Sequence, residues 1–518
     1  MKMARTGGLG LLALALATSA QAQIADPVSV DGGQISGAVD GEVSVFKGIP
    51  FAAPPVGELR WSAPHPVTAW KGVYPARDFG PDCPQLGEAS ANPAGDALPP
   101  GQSEDCLYLN VWTAAHSAEE RRPVMVWIYG GGYRAGSTRL PIYDGAALAR
   151  KGVVLVSIGY RVGPLGFMAH PALSVESPQR VSGNYGLLDQ VAALDWVRRN
   201  ISSFGGDPER ITIFGQSAGS MSTSYLASSP LAAGKFHRLI GQTGAGFGML
   251  TPKPLAEAEG KGVEFGKQLG ASSAQELRAL SAAKLISAAG FESGTFQPIV
   301  DGWVVPDELS EIYRRGRQND VAMLVGSNED EARLNTSQTL AGYRAGVGKL
   351  YGEDAPRLLE LNPASTDAEA QQVDKRLSTT SLGDYTMFAW GRAQAKTGTA
   401  PVYSYRFTRR PPIPRAEYPG GPDAPPPGAW HGAEIPYAFD NLSARNWPWT
   451  ERDRELSRQI MSYWINFAAT GDPNGAGLPA WPTYRQAPGE VMELGDQTAP
   501  IHRPNLPTLE ILDRHLGR

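Results

Sequence analysis

The chain has 518 residues, 42% hydrophobic and 19% charged, with a formal net charge of −5. That balance suits a large apolar core and gives no support for nucleic acid or an anionic membrane surface as a partner. The 43 prolines and 60 glycines are spread along the chain, which implies many loops, and there is no internal repeat or long low-complexity tract.

The first residues read as a leader. Lys2 and Arg5 precede the apolar run Leu9 to Thr18, and Ala20-Gln21-Ala22 forms a small-x-small cleavage site. Residues 1–22 are therefore expected to be a secretory signal peptide cut after Ala22, giving a secreted or periplasmic protein. The run is too short to span a bilayer, and no later stretch is long and apolar enough. Residues 23–518 read as one domain.

Val28 to Ala52 alternates apolar and polar residues around Asp31-Gly32-Gly33 and Asp40-Gly41, which predicts small antiparallel strands joined by tight turns. Leu107 to Trp112 is a further strand. Val124 to Tyr129 is a continuous apolar run, as expected of a strand buried on both faces in a mainly parallel sheet. Val153 to Tyr160 follows as the next buried strand. Asn184 to Ile201 places Leu187, Leu188, Val191, Leu194, Val197 and Ile201 on one helical face. Then come a strand at Ile211 to Phe214, a helix at Ser220 to Ser228 and a strand at His237 to Thr243. This alternation predicts an α/β sheet with helices on both faces. Helices are expected over Ala256 to Leu269 and Ala274 to Ala289, a strand at Val321 to Val325, and mostly helix over residues 338–398. The strand Val402 to Phe407, the helix Glu451 to Thr470 and the strand Val491 to Leu494 finish the domain. Pro411 to Pro427 reads as an extended surface loop.

In an exported chain, the two cysteines, Cys83 and Cys106, read as one disulfide. It would close a loop of about two dozen residues, worth roughly 3 kcal/mol in the chain-entropy model. The enclosed segment Pro84 to Asp105 is small and acidic, and its tip is expected to be mobile. No metal site is suggested by the cysteine spacing.

The chemistry is concentrated at Gly215-Gln216-Ser217-Ala218-Gly219. A strand turning sharply into a helix strains the residue at the corner and demands small neighbours, which Gly215 and Gly219 supply. Ser217 is thereby presented above the sheet, beside helix N-terminal amides that favour negative charge. Gly130-Gly131-Gly132 directly after the buried Val124 strand is the kind of backbone that can approach an oxyanion closely.

A serine hydroxyl needs a base, and histidine is the usual one. In the chain order serine, acid, histidine, the base lies well beyond Ser217. His237 comes too soon to leave room for an acid, and His502 and His515 lie in a polar tail. His431 sits in a glycine-flanked loop after a buried strand and is the predicted base. The acid follows the strand ending near Val325, where spacing alone leaves Glu329, Asp330 and Glu331 open.

With these residues in view, the chain resembles the type-B carboxylesterases of the α/β-hydrolase superfamily, with the cholinesterases and para-nitrobenzyl esterases. The likeness rests on Phe51-Ala52-Ala53-Pro54-Pro55, on Ser103 to Asn110 around Cys106, on Phe204 to Ser220, and on Asn466 to Pro473. It implies an α/β-hydrolase fold: a large, mainly parallel central sheet flanked by helices, small N-terminal antiparallel strands, and helical inserts over the active site. It also implies that Glu331 is the acid and His431, in a His-Gly-x-Glu motif, the base. The oxyanion donors become the backbone N–H groups of Gly131, Gly132 and Ala218. Gln216 stands where many members have Glu, Thr243 where many have Ser, and Ala332 where the family has Gly after the acid.

The expected activity is serine-dependent hydrolysis of a small-molecule carboxylic ester, with no metal and no other cofactor. The alternative is a specialised hydrolase of a bulky ester, amide or carbamate. A choline-ester specificity is disfavoured, because Cys83 to Cys106 encloses no tryptophan to hold a quaternary ammonium. A non-catalytic binding relative is disfavoured because every triad element is present.

Overall fold

Val124, Val126, Trp127 and Ile128 are all fully buried, as are Leu155, Val156 and Ile158 of the neighbouring strand, and these runs form the middle of a large sheet. In this computed structural model, which describes residues 24–86, 100–290, 295–418 and 421–517, that sheet has eleven strands. From one edge to the other they are Thr498–His502, Glu490–Leu494, Val402–Phe407, Ala322–Asn328, Arg238–Gln242, Gly206–Gln216, Arg122–Ile128, Val154–Ile158, Tyr108–Thr113, Val43–Pro50 and Ala38–Asp40. The strands from Glu490–Leu494 to Val154–Ile158 are mutually parallel, and antiparallel strands close both edges. The α/β-hydrolase architecture expected from the sequence is therefore present. Two-sided burial explains why the central strands read as unbroken apolar runs. The predicted signal peptide, residues 1–22, and the tip of the disulfide loop lie outside the described residues.

The N-terminal strands depart from the expectation in one respect. Val28–Val30 and Gly33–Ser36 form an antiparallel hairpin, but Val73–Pro75 adds to it in parallel, so this small sheet is mixed. The second hairpin, Ala38–Asp40 with Val43–Pro50, belongs to the large sheet instead.

The helix Tyr185–Asn200 starts one residue inside the predicted range because Asn184 takes a left-handed φ of 53°. Its apolar face packs inward as predicted, and the helix also buries Asp189. That carboxylate is satisfied by the guanidinium of Arg161, at 2.7 and 2.9 Å. Breaking such a pair from one side would strand a buried charge at a cost of about 3–5 kcal/mol. The single helix predicted over Ala274 to Ala289 is instead two, Ala274–Ala279 and Ala282–Ala289. Ser281 accepts a hydrogen bond from the Lys284 amide at 3.2 Å and so starts a second helix. The chain also continues past its predicted finish: Thr498–His502 forms the edge strand and Leu506–Leu516 a helix. His502 and His515 are thus in regular structure rather than a polar tail. Cys83 and Cys106 form the expected disulfide.

Among the described residues no helix is long and apolar enough to cross a membrane.

Candidate active site

The strand Gly206–Gln216 runs straight into the helix Ala218–Ser228, and Ser217 stands at the corner with φ 58° and ψ −123°. An L-residue held there stores about 1–3 kcal/mol, so the surroundings must enforce it. They do: the Ser217 amide donates to Gln242 O at 2.9 Å, and Ser217 O accepts from the Met221 amide at 2.8 Å. The flanking glycines are sterically required. A Cβ on Gly219 would lie 1.9 Å from Ile128 O, and one on Gly215 would lie 2.5 Å from Gly219 C. From Ile211 to Ser220, Ser217 is the only residue not buried. Beneath the corner, Phe214 packs on Trp127 at 4.8 Å, and Trp127 on Phe439 at 5.0 Å, giving the elbow a rigid aromatic floor.

The glycine loop comes up beside it. A Cβ on Gly130 would sit 2.6 Å from Gln216 O and 2.9 Å from Ser217 Cβ, so a larger residue would be expelled. Gly131 and Gly132 have φ of 112° and 64°, which favours glycine at both. Among the described residues their amides meet no acceptor, while Gly131 O accepts from the Arg134 and Ala135 amides. Ala218 heads the helix, where the first amides also lack intrahelical partners.

The structure separates the three acids that spacing leaves open. Glu331 Oε2 lies 2.5 Å from His431 Nδ1, and Glu331 Oε1 accepts from the Asn328 amide and the Thr243 hydroxyl, both at 2.6 Å. Asp330 turns away to Lys375 Nζ at 2.5 Å and the Ala429 amide at 3.0 Å. Glu329 faces Arg406 and Arg410, each 3.7 Å away. Asp330 nonetheless contributes indirectly: its backbone bridges to Trp430, which ties the acid loop to the histidine loop.

Thr243 reaches Glu331 from a left-handed φ of 54°, an unusual conformation for a β-branched residue. The π-helical turn Thr380–Asp384 supports the acid from behind. A Cβ on Gly383 would meet Glu331 Cγ at 2.7 Å.

Burial acts to lower the His431 pKa, but the charge and hydrogen bond of Glu331, with the charge of Glu434, outweigh it and hold the ring above its ordinary value. Glu434 itself is buried. Its oxygens accept from Gln242 Nε2 at 3.1 Å and Asn328 Nδ2 at 2.5 Å. Burial, and then the nearby Glu331 charge, raise its pKa. Sequence reasoning assigned Glu434 no role; its place in the His-Gly-x-Glu motif was the available signal.

His431 and Ser217 are not joined directly. His431 Nε2 faces Gln216 Nε2 at 3.1 Å, one residue before the serine, and Ser217 Oγ has no hydrogen-bond partner among the described residues. In unliganded sites such contacts are often open and tighten only when substrate binds.

Comparison with known proteins identifies the family. The carboxylesterase family model matches residues 25–507. A fumonisin B1 esterase from Sphingopyxis macrogoltabida is 39% identical over 93% of this chain and 89% of its own length. A para-nitrobenzyl esterase from Bacillus subtilis is 34% identical over 91% and 95%. A solved PNB esterase superposes with a TM-score of 0.80 at 33% identity, covering 94% of this chain and 99% of that one. The chain belongs to the carboxylesterase family and is a carboxylic ester hydrolase.

Proposed function

We propose that hydrolysis proceeds through an acyl-enzyme on Ser217. The observation that carries this is the Glu331–His431 pair, held at 2.5 Å beside a serine in a strained elbow. His431 Nε2 removes the Ser217 proton as Oγ attacks the ester carbonyl, and Glu331 stabilises the resulting imidazolium through Nδ1. The amides of Gly131, Gly132 and Ala218 receive the oxyanion. The tetrahedral intermediate collapses, His431 gives its proton to the departing alkoxide, and the alcohol leaves. Water, deprotonated by His431, then attacks the acyl-enzyme and releases the acid and free Ser217.

The protein is read as a single domain exported behind residues 1–22. The Cys83–Cys106 disulfide supports a secreted or periplasmic location, since such bonds persist in oxidising compartments.

A narrower substrate is a second reading. The relative named for fumonisin B1 shares 39% identity over nearly the whole chain, against 34% for the para-nitrobenzyl esterase. This favours a specialised ester over a general one.

A chain-length series of p-nitrophenyl esters, run with Ser217→Ala alongside, tests the reaction. Activity on short acyl chains that disappears in the variant is expected. Full activity in Ser217→Ala would sink the assignment. A folded enzyme inactive on the whole series would favour the specialised ester.

A further inference from the structure

Gln216 ends the nucleophile strand, is 5% exposed, and makes one side-chain hydrogen bond among the described residues, to His431 Nε2. Its amide is wedged between two glycine loops. A Cβ on Gly130 would lie 3.0 Å from Gln216 Oε1, and one on Gly432 would lie 3.6 Å from Gln216 Nε2. Glycine at 130 leaves the room this side chain occupies, and Gly432 lies within ordinary van der Waals reach of it. The contact takes the ring nitrogen that the proposed mechanism assigns to Ser217.

The charges around the ring give this contact its meaning. Glu331 faces Nδ1, Glu434 approaches from the ring's own loop, and the Tyr405 phenol lies near both carboxylates on the adjacent strand. From the elbow come Gln216 and Ser217, both neutral. The two charged groups acting on the ring are anions, and both favour imidazolium, the form that cannot act as a base. A third carboxylate at position 216 would add to that bias. An amide does not: it donates N–H to an unprotonated Nε2 or, turned half over, accepts from a protonated one.

We propose that Gln216 is a positioning residue whose neutral amide holds His431 Nε2 in the free enzyme without charging the ring, and releases that nitrogen to Ser217 when an ester binds. The proposal rests on the reading of Ser217 and His431 as nucleophile and base. It assigns no proton transfer to Gln216, only an exchange of hydrogen-bond partner at Nε2.

The test compares pH profiles of kcat/KM on p-nitrophenyl butyrate for the wild type, Gln216→Glu and Gln216→Met, with folding checked by thermal melts. In Gln216→Glu the acid limb should move up by about one to three pH units. The shift is expected whichever group carries the proton, because the coupled site then keeps one more proton to higher pH. In Gln216→Met the acid limb should stay in place and kcat should stay near the wild-type value, because the contact is already broken in the ester complex. KM should fall about three- to tenfold, the equivalent of one neutral hydrogen bond no longer given up on binding. A purely structural role would lower kcat or the melting temperature in Gln216→Met and would not change KM alone. An acid limb in Gln216→Glu that coincides with the wild type overturns the proposal, as does wild-type KM in Gln216→Met. If Gln216→Met fails to fold, the Gln216→Glu profile decides. Ser217→Ala separates the two layers: residual full activity there removes the nucleophile assignment, and this proposal with it. An inactive Ser217→Ala with unshifted Gln216 variants removes this proposal alone.

Discussion

Glu331 Oε2 lies 2.5 Å from His431 Nδ1, and the other oxygen of the same carboxylate is held by the Asn328 amide and the Thr243 hydroxyl. The Glu331 carboxylate is therefore held against the imidazole, and in its proposed role as the acid it sets both the tautomer and the tilt of the ring. Glu331→Gln keeps the shape but presents the imidazole with the wrong polarity. A fall in kcat of about a thousandfold or more is expected, with little change in KM, from steady-state kinetics on a p-nitrophenyl ester.

Thr243 tests the second oxygen of the same carboxylate. Thr243→Val removes the donor without changing bulk, and Thr243→Ser keeps it. Loss of one hydrogen bond to a charged group corresponds to about 1.5–3 kcal/mol, so kcat in Thr243→Val should drop about ten- to a hundredfold. Thr243→Ser should stay close to the wild type. Equal kinetics in the two variants would mean that the hydroxyl does not hold the acid.

The pH dependence of rate follows from His431. Its pKa is raised above the ordinary 6.5, burial opposing and Glu331 and Glu434 together prevailing. As the proposed base, His431 must be neutral to take the Ser217 proton, so kcat/KM should fall as pH drops through an apparent pKa above 6.5. For stability the sign is opposite. The folded form binds the proton more tightly, so the ring's contribution is fully present below its unfolded pKa and is lost as pH rises through the folded one. A rate profile whose acid limb lies below 6.5 would contradict the electrostatics described.

Glu434 makes a separate prediction. Burial first, and then Glu331, raise it above the ordinary 4.5. The folded state then holds its proton more strongly than the unfolded chain, so stability declines as pH rises from about 4.5 through the folded pKa. Glu434→Gln abolishes that titration. Melting temperatures measured across this range should fall less steeply with pH in the variant than in the wild type.

The elbow glycines can be tested by the smallest possible change. In Gly219→Ala the added methyl would sit 1.9 Å from Ile128 O, a backbone atom that cannot swing aside. Overpacking against backbone should cost about 3 kcal/mol, the upper end of the usual range. Denaturant unfolding or soluble yield measures it, and a variant as stable as the wild type would disprove the tight approach.

Local chemistry made much of the molecule legible in advance. The apolar runs at Val124 and Val153 announced buried parallel strands, because two-sided burial leaves no polar alternation. Glycines at 215 and 219 marked a corner, because a strand turning sharply into a helix leaves no room for a Cβ on either side of the turn. The two cysteines allowed only one intramolecular pairing. What remained hidden depended on contacts across long stretches of chain. The residues Glu329, Asp330 and Glu331 are chemically alike and adjacent, and nothing local distinguishes them. The family motif pointed to Glu331, but only the folded loops turn Asp330 to Lys375 and Glu331 to His431, 100 residues away in sequence. The parallel pairing of Val73–Pro75, the edge strand Thr498–His502 and the hold of Gln216 on His431 share that origin. Sequence encodes burial and backbone preference residue by residue. Which polar atoms meet is decided when distant segments are brought together, because a hydrogen bond needs two partners within about 3 Å and one segment holds only one of them.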